Sequence, residues 1–191
     1  MKSIALLRVA FLALALLVAG CGGKNVASDL PGGGLVYNKY NIHAFQDRSD
    51  IKASYANWVE VGTGQIVYPP NTKFQVGAWK RGFLLTKVDG GERIYFEYDA
   101  KRMGMSLPEY IKLITSPAPV SLGGLSKLDQ QGVKEGKALK GMSKEGVMTA
   151  LGYPAAHATP SIKDSRWTYW RNRFKTMAVT FDGAGKVARI D

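Results

Sequence analysis

Residues 82–98 read GFLLTKVDGGERIYFEY, and this stretch predicts a β-hairpin. The runs Gly82 to Val88 and Arg93 to Tyr98 have the composition and alternation of strands that bury one face. The DGG sequence at 89–91 is a strong turn signal between them. We therefore expect two antiparallel neighbours inside a β-rich region that extends over residues 35–100.

More short strands precede the hairpin. Residues 65–68 and 72–79 are rich in β-forming side chains, and in the second run Phe74, Val76 and Ala78 share one face. Because strands this short are stable only when several pair together, the spacing predicts a small meander or a half-open barrel.

A helix is predicted to follow the hairpin. Ser106 is a suitable N-cap, since Glu109 lies three residues on and can reach back to it, while Pro108 occupies the first turn. Residues 116–125 (SPAPVSLGGL) contain two prolines and two glycines, which indicates a linker or a domain boundary.

The last third of the chain combines a helix with strands. Ser143 is predicted to cap a helix that ends at Gly152. Strand patterns then cover residues 166–171, 174–181 and 186–190. This order predicts one or two helices packed on a three-stranded antiparallel sheet.

Five short stretches in this last third also occur in an order that is found in a known protein family. They are Lys140–Val147 (KGMSKEGV), Leu151–Pro154 (LGYP), Trp167–Tyr169 (WTY), Val179–Gly183 (VTFDG) and Lys186–Val187. Together they resemble the SmpA/OmlA/BamE family of outer-membrane lipoproteins over roughly residues 126–191. The resemblance implies an α-α-β-β-β fold and a supporting role in outer-membrane protein assembly or envelope integrity.

The predicted fold class is α+β. A small β-rich N-terminal domain at 35–115 ends in a helix, a linker follows at 116–125, and a BamE-like domain at 126–191 packs one or two helices on a three-stranded antiparallel sheet. The first of these helices is the unsettled element, because residues 133–139 hold Gly136 and fit either a poor helix or a strand.

Cys21 is the single cysteine of the 191-residue chain, and it closes the sequence LVAGC at 17–21. A basic segment and about ten apolar residues precede it, too few to span a bilayer, so residues 1–20 are predicted to be a secretory signal peptide. The sequence resembles the lipobox of bacterial lipoproteins. That resemblance implies a diacylglycerol thioether and an amide-linked acyl chain such as palmitate on Cys21. The alternative is an ordinary signal peptide that leaves a free thiol.

The residues after the cysteine suggest where the protein goes. Residues 21–34 are rich in glycine and predict a flexible tether. No Asp follows Cys21, and in the Gram-negative lipoprotein pattern this implies an outer-membrane location, here expected to face the periplasm. Without the signal the formal net charge falls from +11 to +9, which suits peptidoglycan or anionic lipid and, in this compartment, not nucleic acid.

The sequence contains no recognisable catalytic motif. His43 and His157 are far apart, no ligand spacing predicts a metal site, and no cofactor is expected besides the lipid on Cys21. We therefore expect a protein that is not an enzyme.

A candidate partner-binding site lies around the strand at 166–171. One face of this strand must pack on the helices, so a large aromatic on the other face, or in the turn that follows, is expected to be exposed among basic side chains. The predicted partner-binding residues are Trp170, Arg171, Arg173, Phe174 and Lys175. The alternative is that these rings all lie in the core, as predicted for Trp58 and Trp79.

The sequence thus predicts a lipid-anchored outer-membrane lipoprotein that acts as a non-enzymatic binding or scaffolding component, with another envelope or outer-membrane protein as its partner. The alternative is a ligand-binding envelope lipoprotein that recognises peptidoglycan or lipid through its β-rich domain.

Overall fold

The computed structural model describes residues 30–191. The predicted signal peptide, the predicted lipid attachment at Cys21 and most of the predicted tether lie outside these described residues. The larger of two sheets has eight strands: β1 Leu35–Asn38, β2 Ile42–Asp47, β3 Asp50–Ser54, β4 Gln65–Tyr68, β5 Lys73–Trp79, β6 Gly82–Lys87, β7 Arg93–Glu97 and β8 Thr115–Ser116.

The strand order of the large sheet is β4-β2-β3-β7-β6-β5-β1-β8. Strands β3 and β7 pair in parallel, with Ile51 opposite Ile94, while the other neighbours are antiparallel. This parallel pair joins the N-terminal strands β2 to β4 to the meander of β5 to β7, so residues 35–116 build one continuous curled sheet.

The helices are short and lie mostly in the second half of the described chain. They are α1 Ala100–Met103, α2 Leu107–Ile114, α3 Lys127–Glu135 and α4 Lys144–Leu151. The smaller sheet consists of β9 Arg166–Trp170, β10 Thr176–Phe181 and β11 Val187–Ile190, in the order β11-β10-β9.

The predicted fold class is wrong. An α+β protein with a small β-rich N-terminal part followed by a BamE-like domain does not describe this architecture, because the eight-stranded sheet is the main element and the four helices are short. Alternation along the chain identifies single strands and hairpins. It carries no signal for the parallel β3–β7 pair, which is what makes the sheet large.

The β6–β7 hairpin is confirmed. Its register places Phe83 opposite Phe96 and Leu85 opposite Ile94. All four side chains are fully or almost fully buried, and the rings of Phe83 and Phe96 stack with centroids 4.5 Å apart. Their inward face forms the centre of the first hydrophobic core.

The predicted N-terminus of α2 is also confirmed. The Ser106 hydroxyl accepts from the Glu109 amide, and the Glu109 carboxylate accepts from the Ser106 amide, which is a complete capping box. This fixes the helix so that Tyr110 reaches the large sheet, with its ring 5.9 Å from that of Phe96 and stacked at 4.8 Å on Tyr98.

The second core lies between α3, α4 and the small sheet. Asp129 joins the two helices because its carboxylate accepts from Ser126, the N-cap of α3, and from the amide (2.7 Å) and hydroxyl (3.0 Å) of Ser143, the N-cap of α4. Burial raises the pKa of Asp129, but these hydrogen bonds outweigh it and hold the pKa below its ordinary value. Residues 133–139 fit either a poor helix or a strand, and the structure makes only 133–135 helical: α3 begins at Lys127 and is capped by Gly136 in the left-handed conformation.

The two cores are joined where the last turns of α3 and α4 meet β2. The final carbonyls of a helix have no partner inside the helix. Here the Asn41 amide donates to Thr149 O at 2.8 Å, the Asn41 side chain donates to Val133 O and Ala150 O, and His43 Nε2 donates to Ala150 O at 2.8 Å. We call this set of bonds the seam.

A second line of contacts continues the seam to the small sheet. The backbone amide of Val59 donates to Trp170 O at 2.8 Å, and that of Glu60 to Arg171 O at 2.8 Å. Gly152, at φ +88°, lies against this region: a Cβ there would come within 2.6 Å of the Asn57 side-chain oxygen. Any other residue at 152 would have to displace the Asn57 side chain and adopt a strained positive φ.

The first described residues are packed against the body. Leu30 is buried in the first core, and Pro31–Gly34 form a 3-10 turn. The Gln75 side chain donates to Gly33 O at 2.8 Å. The part of the predicted tether that the structure describes is therefore docked on the large sheet.

His43 predicts a pH-dependent stability. Burial lowers the pKa of His43 from its ordinary value of 6.5, although the Ala150 carbonyl acts in the opposite sense. The unfolded chain then binds the proton more readily than the folded one, so the unfolding free energy should be constant above about pH 7 and decrease as the pH falls below 6.5. Urea denaturation of the mature protein at pH 7.5 and 5.5 measures this decrease.

The variant His43→Gln should be less stable at pH 7.5, since Ala150 O loses its short bond, but its stability should change less between the two pH values. His157→Gln, at an exposed histidine, is the control and should keep most of the decrease. A His43→Gln profile parallel to that of the wild type would show that this ring is not responsible.

Candidate functional site

The turn between β9 and β10 presents the most exposed large apolar side chain of the described residues. Phe174 is 89% exposed. Asn172 builds the turn, since its side-chain oxygen accepts from the amides of Phe174 (3.0 Å) and Lys175 (3.1 Å), and Arg171 N donates to Lys175 O at 2.7 Å. The ring is therefore displayed on a hydrogen-bonded turn.

The five residues predicted to bind a partner fall into two groups. Trp170 is half-buried and stacks on His157, with centroids 5.0 Å apart, and Arg171 forms an ion pair with Glu60. These two residues also accept the backbone hydrogen bonds from Val59 and Glu60 that continue the seam to the small sheet. The other three, at positions 173–175, are exposed in the turn, so the alternative of an entirely buried aromatic set does not hold for Phe174.

The turn is positively charged as well as apolar. Within residues 30–191 neither Arg173 nor Lys175 forms an ion pair. The guanidinium of Arg173 lies 5.8 Å from the ring of Trp58, a cation–π distance. Asp47, which lines the cleft beside this turn, pairs with Lys52, and that hydrogen bond and charge hold the pKa of Asp47 below its ordinary value.

A cleft of about 510 Å³ opens beside the turn. Its apolar wall contains Phe45 and Trp58, whose rings meet edge to face at 5.3 Å. The cleft is lined by Phe45, Asp47, Trp58, Val61, Thr63 and residues 172–175. We call the exposed side chains of residues 173–175 together with this cleft the Phe174 surface.

Trp58 lies in an unusual backbone conformation. Its φ is +42° and that of Asn57 is +68°, a left-handed pair that bulky side chains rarely adopt. Such conformations persist only where the surroundings enforce them, and they concentrate at functional sites. Here the pair turns the chain from β3 toward the small sheet and sets the Trp58 ring between two clefts.

The second cleft is smaller, about 220 Å³, and more polar. It shares Trp58 and Arg173 with the Phe174 surface. The other charged, titratable and aromatic side chains that line it are Tyr55, Arg81, Glu97, Arg102, His157 and Trp170. We call it the arginine cleft.

Metal and membrane features can be stated for residues 30–191. No group of three or more His, Cys, Asp or Glu residues in this range is placed to hold a metal ion. None of the helices in it is both long and apolar enough to cross a membrane. His43 lies in the seam and His157 in the arginine cleft, so the structure gives the two histidines separate settings.

Several residues of the site had no signal in the sequence. Trp58 is buried as predicted, but it also lines both clefts, whereas Trp79 is half-buried on the outer face of the large sheet, 5.4 Å from Tyr95. Arg81 lies in the β5–β6 turn and Arg102 in α1, and both are far from Arg173 in sequence. The pairing of the large sheet and its junction with the small sheet bring them together.

No protein-family model matches the chain, and no curated protein or solved structure shows significant similarity to it. What the site does is therefore inferred from its own residues.

The exposure of Phe174 predicts that it is dispensable for folding. Phe174→Ser should change the unfolding free energy by less than about 0.5 kcal/mol, since substitutions at exposed positions usually stay in that range. Trp58→Ala, at the buried ring beside it, should lose about 3–5 kcal/mol, as is usual for large aromatic side chains in a core. Urea denaturation of both variants makes the comparison, and a loss above about 1 kcal/mol for Phe174→Ser would mean that the ring has a structural role.

Proposed function

We propose that the chain is a lipid-anchored envelope lipoprotein that binds a partner protein through the Phe174 surface. It would act as a non-enzymatic binding or scaffolding component in envelope or outer-membrane protein assembly. The observation that carries the proposal is the phenyl ring of Phe174, 89% exposed on a hydrogen-bonded turn between two basic side chains.

The chemistry of this surface suits a protein partner. Aromatic and arginine side chains supply most of the binding energy in protein interfaces. They fill pockets on the partner or form the walls of pockets that a partner side chain fills. The Phe174 ring can enter a pocket of the partner, and the neighbouring cleft lined by Phe45 and Trp58 can receive a partner side chain. Because Asn172 fixes the turn before binding, little conformational entropy has to be lost on association.

The anchor supports the same role. A lipid on Cys21 would hold the folded body at the outer membrane, facing the periplasm. Eight residues separate Cys21 from the buried Leu30, and the nine steps from one residue to the next span at most about 30 Å. Confinement this close to a bilayer raises the effective concentration of the protein toward other membrane-bound components, by a factor that reaches 10²–10⁴ in linked systems.

A groove on the other side of the seam supports a second candidate function, recognition of lipid or peptidoglycan by the β-rich part. Its volume is about 680 Å³. Val67, Pro69 and Pro70 line it from the large sheet, and Leu122 and Leu125 face them. With Lys134 also in its wall, the groove fits an apolar chain that carries an anionic head.

Site-specific crosslinking in intact cells tests the first proposal. A photoreactive side chain at position 174 should give a discrete adduct with an outer-membrane or periplasmic protein. The same group at position 184, in the exposed β10–β11 turn, is the matched control and should give none. Cys21→Ser should release the protein from the membrane fraction and reduce the adduct at least tenfold, because the local concentration is lost.

Equal adducts at positions 174 and 184, or no adduct at 174 in the anchored protein, would contradict a role for this surface. Retention of the protein on purified sacculi or lipid vesicles that is lost on substitution in the groove, for example with Leu122→Glu, would favour the second candidate instead.

A further inference from the structure

The arginine cleft gathers three guanidinium groups from three separate elements. Arg81 belongs to the β5–β6 turn, Arg102 to α1 and Arg173 to the β9–β10 turn. Glu97 is the one carboxylate among the residues that line the cleft, so the lining carries a formal charge of +2. Like charges that converge in a concave site create a positive potential that attracts anions.

Each guanidinium keeps donors free. Arg81 uses one nitrogen for Glu97 (2.9 Å) and is 63% exposed; Arg102 donates to the Tyr55 hydroxyl at 3.1 Å, lies 3.6 Å from Asp99 and is 58% exposed. Arg173 has no hydrogen-bond partner within residues 30–191 and rests on Trp58. Because a guanidinium has five N–H donors, these contacts orient the three groups and leave most of their donors for a ligand.

The side walls of the cleft are aromatic. His157 stacks on Trp170 at 5.0 Å and lies 6.2 Å from the ring of Tyr55. Partial burial, and next the charge of Arg102, lower the pKa of His157, which agrees with a positive potential at this point. The cleft volume of about 220 Å³ exceeds what a single oxyanion fills, so these rings leave room for the group that carries it.

We propose that the arginine cleft binds a phosphate group carried on a small sugar or on a lipid headgroup. A phosphate monoester has a charge of about −1.5 to −2 at neutral pH, which matches the lining, and its oxygens accept the paired N–H donors of arginine. The aromatic walls contact the carrier. The site is distinct from the Phe174 ring, although Arg173 borders both clefts.

Binding is measured with the mature full-length protein by the fluorescence of Trp58 and Trp170, which line the cleft, and by the NMR signals of the His157 ring. The probes are inorganic phosphate, glucose 1-phosphate, and vesicles of phosphatidylcholine with and without phosphatidic acid. We expect saturable binding of glucose 1-phosphate or of vesicles with phosphatidic acid, weakened by salt, with glucose and acetate binding at least tenfold more weakly. Saturable binding of inorganic phosphate alone would contradict the proposal. Binding of glucose 1-phosphate but not of vesicles would assign a soluble ligand, and the reverse a lipid.

The decisive variants are Arg102→Gln and Arg173→Gln, which should each weaken phosphate binding at least tenfold. Arg173→Lys keeps the charge but lacks the paired donors, so its phosphate affinity should lie between those of the wild type and Arg173→Gln. Arg93→Gln is the matched control, since Arg93 also lies over a ring, at 5.7 Å from Tyr95, but outside the cleft. Circular dichroism checks that the variants are folded.

No saturable binding of any phosphate probe would overturn the proposal. So would equal weakening by Arg93→Gln, which would indicate a general basic surface, or equal affinity for acetate. Phe174→Ser should leave phosphate binding unchanged, so a failure of the partner-binding proposal and a failure of this one are separately visible.

Discussion

The structure depends on how the last carbonyls of α3 and α4 find hydrogen-bond partners. The carbonyls concerned belong to the buried residues Val133, Thr149 and Ala150, where an unpaired carbonyl costs about 1–3 kcal/mol, although Val133 O also accepts from the Gly136 amide. Asn41, directly before β2, and His43, within β2, supply the donors from the side of the other core. The need to satisfy these carbonyls thus holds the two hydrophobic cores together, at sites where no apolar side chain would serve.

The candidate site is a consequence of this junction. The Phe174 surface has one wall from β2 and the other from the β9–β10 turn, and the arginine cleft likewise draws on both parts. Neither cleft would exist in either part alone. The Val59 and Glu60 amides, bonded to the end of β9, set the spacing between the walls. Any ligand bound there would therefore stabilise the association of the two parts.

Sequence patterns predicted what depends on neighbours along the chain. The β6–β7 hairpin and the caps at Ser106 and Ser143 follow from a few adjacent residues, and the structure has them. The start of α3 has the same kind of signal, Ser126 with Asp129 three residues on, whereas Gly136 lies at its end and is a poor residue for a helix interior. The parallel β3–β7 pair and the meeting of Arg81, Arg102 and Arg173 depend on residues far apart in sequence, for which one chain offers no local pattern.

The outermost strands of the large sheet have a further consequence. Strand β8 is two residues long and is followed by Pro117; strand β4 has four residues and is followed by Pro69 and Pro70. Short edge strands that are followed by proline offer few unpaired backbone donors for an additional strand. Copies of the chain that are crowded together would then have little opportunity to extend each other's large sheets, so crowding need not end in aggregation through these edges.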